Sequence, residues 1–317
     1  MGAYKAVILV CLVLAIDASP AYAQLRGHGG PVRALAVSAD GRLALSGSFD
    51  TSAILWSLET DTAQQVLRFH DGAVNAVAFL DDGRLATAGA DTRVAIWNAG
   101  EPQPRQKLEG HTAPVVALAV APDGKTIASA SWDRTVRLWP LEGGAPRVLE
   151  GHQQNVNGVT FLHDGSAVVS AGYDATLRIW PLQGDAAPVV VTLPTPLNTL
   201  AVAPDGEILC AGADGKVYVV SRSGVLLAAI AASETPIIAL AVSRDGALVA
   251  AAGIRGAVAV IDRTARSVAH TLVGPGLPVW SAAFLPDNST LLTGGADRAI
   301  RRWNATTGEP IGAVATG

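Results

Sequence analysis

The chain has 317 residues, of which half are hydrophobic and 16 % charged, and its formal net charge is −4 at pH 7. No basic stripe offsets that balance, so nucleic acid is excluded as an expected partner. The two cysteines are Cys11 and Cys210, too few for a disulfide framework. The apolar share suits strands that are covered on both faces.

The first 23 residues differ from everything that follows. Lys5 supplies a positive start, Ala6–Ile16 is an unbroken apolar run, Pro20 ends it, and Ala21-Tyr22-Ala23 places small residues where a signal peptidase cleaves. The run is too short to span a bilayer. The reading is a cleavable secretory signal over 1–23, no stable membrane insertion, and a mature chain from Gln24 that is periplasmic or secreted. Cys11 lies inside the run, too early for lipid attachment. Cleavage leaves Cys210 alone, in a small-residue strand where it serves as packing.

From Gln24 onward one unit of about forty residues recurs. Gly110–Trp139 is its clearest copy. Gly110-His111 opens it. Val116, Leu118 and Val120 alternate with Ala117 and Ala119, which reads as a strand buried on both faces. Pro122-Asp123-Gly124 makes a hairpin turn. Ile127–Ser131 is a second strand of small residues, Asp133-Arg134-Thr135 a second tight turn, and Val136–Trp139 a third strand. Leu141–Leu149 holds a loop and a short fourth strand. Four strands with a turn between each make one small antiparallel sheet.

The third strands end at Trp56, Trp97, Trp139, Trp180, Val220, Ile261 and Trp303, so the period stays at 40–42 residues. The first hairpin turns keep the same beat, from Asp40-Gly41 to Asp287-Asn288. With Gly-His near its start and Trp near its end, the unit resembles the WD40 repeat. It departs from that pattern in one respect: the residues after the tryptophans are Ser57, Asn98, Pro140, Pro181 and Asn304, and none is aspartate. The resemblance covers 24–317 and implies an all-β fold, a seven-bladed β-propeller of four-stranded antiparallel blades. In such a ring each sheet is covered by its neighbours. Small second-strand residues, such as Ser46-Gly47-Ser48 and Ala88-Gly89-Ala90, fit blades that approach closely. About 290 mature residues would suggest two domains by length alone, but one repeat array fills them.

Four blades carry the same polar set: His28, Ser46, Asp50 and Trp56; His70, Thr87, Asp91 and Trp97; His111, Ser129, Asp133 and Trp139; His152, Ser170, Asp174 and Trp180. Serine, histidine and aspartate together suggest a nucleophilic triad. Four copies at one spacing argue instead for structure. A buried indole N–H needs an acceptor, a hydroxyl provides it while donating to imidazole, and the imidazole donates to the turn carboxylate. The WD40 resemblance implies the same tetrad. Blade five keeps Asp214 but has Cys210 and Val220. Blade six has Ala251, Arg255 and Ile261 and keeps no member, so blades five and six rely on apolar packing. Blade seven keeps Thr293, Asp297 and Trp303 without the histidine, which leaves Trp303 in need of another acceptor or a water. For ring closure, Pro310–Val314 matches the outer strands of other blades better than the short Gln24–Arg26, so the C-terminal strand is expected to close the ring.

The resemblance also implies that partners bind the narrow top face around the channel mouth. One exposed position there is the residue before each turn aspartate: Phe49, Ala90, Trp132, Tyr173, Ala213, Ile254 and Ala296. A second lies in the first strand: Arg33, Asn75, Val116, Asn157, Asn198, Ile238 and Trp280. Arg33, Phe49, Asn75, Trp132, Asn157, Tyr173, Asn198 and Trp280 therefore form the expected binding set, since aromatic and arginine clusters mark protein-binding hot spots. A metal-dependent propeller hydrolase would need several inward carboxylates or histidines. The turn aspartates are already assigned, and no phosphate loop, zinc spacing or Cys-x-x-Cys-His is present, so no cofactor and no metal are expected. The functional expectation is a non-catalytic scaffold, a single propeller within a complex, binding a protein or peptide on its top face. An assembly module for an exported c-type cytochrome or other redox enzyme is the alternative, and a propeller hydrolase the third reading.

Overall fold

The computed structural model describes residues 24–184 and 186–312. The expected signal segment lies outside them. Seven antiparallel sheets follow one another along the chain; six are meanders of four strands, and the seventh has three such strands with two short segments sharing its outer edge. Blade three runs Val115–Val120, Thr126–Ser131, Thr135–Pro140 and Arg147–Glu150 in that spatial order. The first strands touch in sequence from Val32–Val37 round to Val279–Phe284, and the last touches the first. This is a seven-bladed β-propeller.

The core is not one mass but seven slabs, one between each pair of neighbouring blades. Leu45, Leu55, Val74, Leu85 and Trp97 join blades one and two. Trp139 packs with Ala88, Val94 and Ile96 of blade two, and Trp303 with Val258 and Val260 of blade six. The third-strand tryptophan of a blade thus packs against the preceding blade. Val220 and Ile261 take that place in blades five and six. Each such aliphatic chain stabilises by about 2 kcal/mol when fully buried, so these two blades pack without the indole.

Small second-strand residues have two separate reasons. A Cβ on Gly47 would lie 2.7 Å from Val74 Cγ1 of the next blade, as expected from close blade approach. A Cβ on Gly89 would lie 2.6 Å from both His70 Nδ1 and Asp91 Oδ1, so this glycine clears room inside its own blade for the histidine–aspartate contact.

Closure differs from expectation. Gln24–Arg26 pairs antiparallel with Ala299–Asn304, with Leu25 opposite Ile300. Glu309–Pro310 pairs with the remaining half of the same strand. The outer strand of blade seven is therefore composite, and the N-terminal segment supplies its longer piece. Leu25 is the reason: it is buried among Val32, Ile54, Trp56, Leu292 and Ile300, the slab that joins blades seven and one. Of the expected strand Pro310–Val314, among the described residues only Pro310 lies in the paired segment, with the Ile311 N–H donating to the Arg302 carbonyl beside it.

The first strands are also less buried than their apolar sequences suggest. Val116, Leu118 and Val120 are half-buried, because one side of each first strand lines the central channel. Every first strand carries a β-bulge at one position. Pairing skips Arg33, Asn75, Val116, Asn157, Asn198, Ile238 and Trp280 in turn. A bulge re-aims the side chain that leaves the ladder, and all seven of these residues line the channel.

The tight turns that carry the aspartates impose a left-handed residue straight after each one. Thr51, Thr92, Arg134, Ala175 and Arg298 have φ between 62° and 73°, and Gly215 and Gly256 take that place in blades five and six. A left-handed alanine costs about 1 kcal/mol. Ala175→Gly is therefore expected to raise the urea midpoint despite glycine's greater freedom when unfolded. Ala88→Gly, in a buried strand, lowers it.

Candidate functional site

The four histidine-bearing blades form complete hydrogen-bonded chains. In blade three, Trp139 Nε1 donates to Ser129 Oγ at 2.8 Å, Ser129 lies 2.7 Å from His111 Nε2, and His111 Nδ1 lies 2.7 Å from Asp133. Blades one, two and four repeat this with Ser46, Thr87 and Ser170 as the central hydroxyls. Asp50, Asp91 and Asp174 receive the histidines His28, His70 and His152. An ionised carboxylate only accepts, so Nδ1 carries the proton. Nε2 then accepts from the hydroxyl, which accepts from the indole. Ser46, Ser129 and Ser170 are fully buried. Each histidine is also buried.

Electrostatics follow from burial and hydrogen bonding. Burial holds the His28 and His152 imidazoles below their ordinary value of 6.5, outweighing the neighbouring carboxylates. For Asp50, burial pushes upward, but the Ser52 hydroxyl and amide, His28 and the Gly29 amide prevail and bring its pKa to about 2. Asp133 is lowered as well, its burial outweighed by His111 and Thr135.

The incomplete blades re-partner the survivors. In blade seven Trp303 Nε1 still donates to Thr293 Oγ1, at 2.9 Å, so no substitute acceptor is needed. Asp297, without a histidine, binds Arg301 at 2.6 Å. In blade five Tyr218 Oη donates to Asp214 at 2.6 Å. Arg301 and Tyr218 stand opposite Thr293 and Cys210 in the strand pairing. Their position four residues after each turn aspartate was the available sequence signal. Burial pushes the Cys210 thiol up to about 12, which fits a packing residue.

The face that bears the aspartate turns gathers the expected binding residues. Phe49, Trp132 and Tyr173 are 45–47 % exposed. Phe49 packs on Trp280 across the closure, ring centroids 5.1 Å apart. Arg33, Trp132, Tyr173, Asn157 and Asn198 line one cavity of about 240 Å³ at the channel mouth. Val116, Ile238 and Asn155 complete it. Asn155, absent from the expected set, is held there by accepting the Tyr173 backbone N–H. The three asparagines are braces. Asn75, Asn157 and Asn198 each donate to the first-strand carbonyl of the next blade, of Val115, Leu197 and Ile237, at 2.9–3.1 Å. Asn157 also accepts from Trp132 Nε1 at 3.1 Å.

The opposite face holds a cleft of about 630 Å³ between blades three and four, walled by Leu138, Phe161 and Leu182 with Arg147, His163 and Asp164 at its rim. No sequence pattern marked it, because its walls come from two separate hairpins. Among the described residues, no group of three or more His, Cys, Asp or Glu side chains converges as a metal site, and no helix is long and apolar enough to cross a membrane.

The family model WD40, "WD domain, G-beta repeat", matches residues 20–57, 62–98, 102–140, 144–181, 189–221 and 266–304. The stretch it passes over holds the inner strands of blade six, which keeps no tetrad member. No curated protein matches the chain.

The tetrads predict unequal costs for equal truncations. Ser129→Ala orphans both the Trp139 indole and His111, about 3 kcal/mol in all, whereas Thr293→Ala orphans only Trp303, about half that. Urea unfolding of the two variants measures the difference. The pH dependence has one sign for both kinds of group. A histidine lowered on folding takes up more protons when unfolded, so its contribution is intact above 6.5 and declines as pH falls below that value. The depressed carboxylates give stability present above their unfolded pKa and lost as pH falls toward about 2 for Asp50. Unfolding midpoints should therefore drop steadily from about pH 7 downward.

Proposed function

The chain belongs to the WD40 family, and from that membership we propose that this propeller is a non-catalytic scaffold that binds a protein or peptide partner on the face carrying the aspartate turns. Propellers of this family are generally protein-interaction scaffolds and typically non-catalytic. The observation that carries the reading is the concentration of half-exposed aromatic rings there. Phe49, Trp132 and Tyr173 surround a channel mouth that also holds Arg33 and Trp280. In a chain with 5 % aromatic residues, that grouping offers the rigid, amphipathic contact area that anchors interfaces. The triad-like groups give no support to hydrolysis, since each serine Oγ is buried and already engaged by an indole.

Export belongs to the same reading and rests on 1–23 alone, so the partner is sought in the exported fraction. A c-type cytochrome or other redox enzyme among the captured proteins would make the propeller its assembly module.

The test is a pull-down with the wild type beside a folded Trp132→Ala/Trp280→Ala double variant. A partner held by the wild type and lost by the variant is the expected result. Equal capture by both would move the site to the cleft between blades three and four or to the rim. No partner at all would overturn the scaffold reading.

A further inference from the structure

We propose that Arg33 is a carboxylate receptor: the channel mouth takes an aspartate or glutamate side chain of the partner, held by the guanidinium and flanked by the aromatic rings. This rests on the scaffold reading above and gives the partner a chemistry.

Seven bulges aim seven side chains into the channel, and six are accounted for. Asn75, Asn157 and Asn198 brace the next blade through their amides. Val116 and Ile238 are apolar, and Trp280 packs on Phe49. Arg33 is the exception. It is the one charged side chain in the ring, and among the described residues it has no hydrogen bond and no ion pair. Arg84, Arg93, Arg222, Arg263, Arg301 and Arg302, by contrast, each meet a carboxylate.

Arg33 is partly buried and lines both the channel and its mouth. Burial on its other sides pulls its pKa below the ordinary 12.5, the mark of a charge taken from water without compensation. It nevertheless stays protonated. Among the described residues no aspartate or glutamate lines the mouth or the channel beneath it, although the chain as a whole is acidic at −4. The mouth is thus a local positive well in a negative molecule. A guanidinium fork meets a carboxylate through two parallel hydrogen bonds, and partial exclusion of water strengthens them. The cavity of about 240 Å³ suits one acidic side chain better than a folded loop. Trp132 and Tyr173 stand at its edge to cover the residues on either side.

The test uses the full chain and a displayed library of random peptides, followed by titration of the enriched sequence as an acetylated, amidated peptide. The wild type is expected to enrich aspartate or glutamate at one fixed position. Changing that residue to its amide should weaken binding about tenfold on the wild type and leave binding to Arg33→Gln, already about tenfold weaker, unchanged. Arg33→Gln should melt no lower than the wild type, since it removes an uncompensated charge. A markedly lower melting temperature would assign Arg33 a structural role and overturn the proposal. Equal binding to wild type and Arg33→Gln, with loss on Trp132→Ala, would overturn it and leave the scaffold reading standing. Enrichment that depends on a free C-terminal carboxylate would overturn the side-chain assignment. A library that yields no binder on any variant would remove both readings.

Discussion

Leu25 lies opposite Ile300 in a slab shared by the first and last blades, and the ring depends on that contact. Six of the seven blade interfaces are joined by chain that runs from one blade's outer strand to the next blade's first strand. The seventh is spanned by the N-terminal segment, which pairs into blade seven at Gln24–Arg26 and continues to Val32–Val37 of blade one, so its hold on the rest of blade seven is by pairing and packing. Both chain ends contribute to it: Gln24–Arg26 on one half of Ala299–Asn304 and Glu309–Pro310 on the other. Arg302 adds a further tie by donating to the Leu58 carbonyl at 2.7 Å and pairing with Asp61. A repeat array gains stability from each neighbour interface, so closure adds one interface that an open array of the same blades would lack. It also removes two exposed faces.

Inside each blade the central hydroxyl decides which other polar groups can be kept. It accepts from the indole and donates to the imidazole, so each partner is satisfied only while it remains. Where the hydroxyl is replaced by Cys210 or Ala251, the indole and the histidine are gone too. Where Thr293 remains, Trp303 remains. The carboxylate is more independent, because the turn itself uses it: Asp50, Asp133 and Asp174 each accept the backbone N–H two residues on. Asp214 and Asp297 survive without histidine by taking Tyr218 and Arg301 instead. Blades five and six, which lack tetrads, are tied edge to edge by Arg263, which reaches Asp205 at 2.6 Å and Glu207 at 2.8 Å.

The blades and tetrads were legible in the sequence because both depend on fixed spacing within one unit. Histidine, hydroxyl, aspartate and tryptophan recur at nearly constant separations, and a local network needs little else. What was not legible depends on contacts between units. Gln24–Arg26 is three residues long and carries no pattern; only the pocket around Leu25, built from blades one and seven, selects it over the better-matching C-terminal stretch. The bulges are hidden for a different reason. Doublets such as Val115-Val116 and Ile237-Ile238 fit either register of a strand, so alternation cannot reveal which residue leaves the ladder. Channel lining is equally silent, because Leu118 would look the same against a neighbouring sheet as against water. The asparagine braces end on carbonyls some forty residues away, which no local motif encodes.

The bulges also separate stability from recognition. A residue in the ladder is committed to its neighbours, whereas a bulged one is free to face the channel without weakening the pairs around it. Most of the seven positions return that freedom to the fold, as a brace or an apolar contact. The ring is already complete without the seventh, a side chain that gains nothing from the folded protein. Arg33 is in that situation. Its charge is neither paired nor required by the blade that carries it, and it stands among rings whose exposure is likewise unexplained by packing. A group that opposes folding and is surrounded by exposed apolar surface finds its compensation in what binds, and a fold with stability distributed over seven slabs can carry one such group at its mouth.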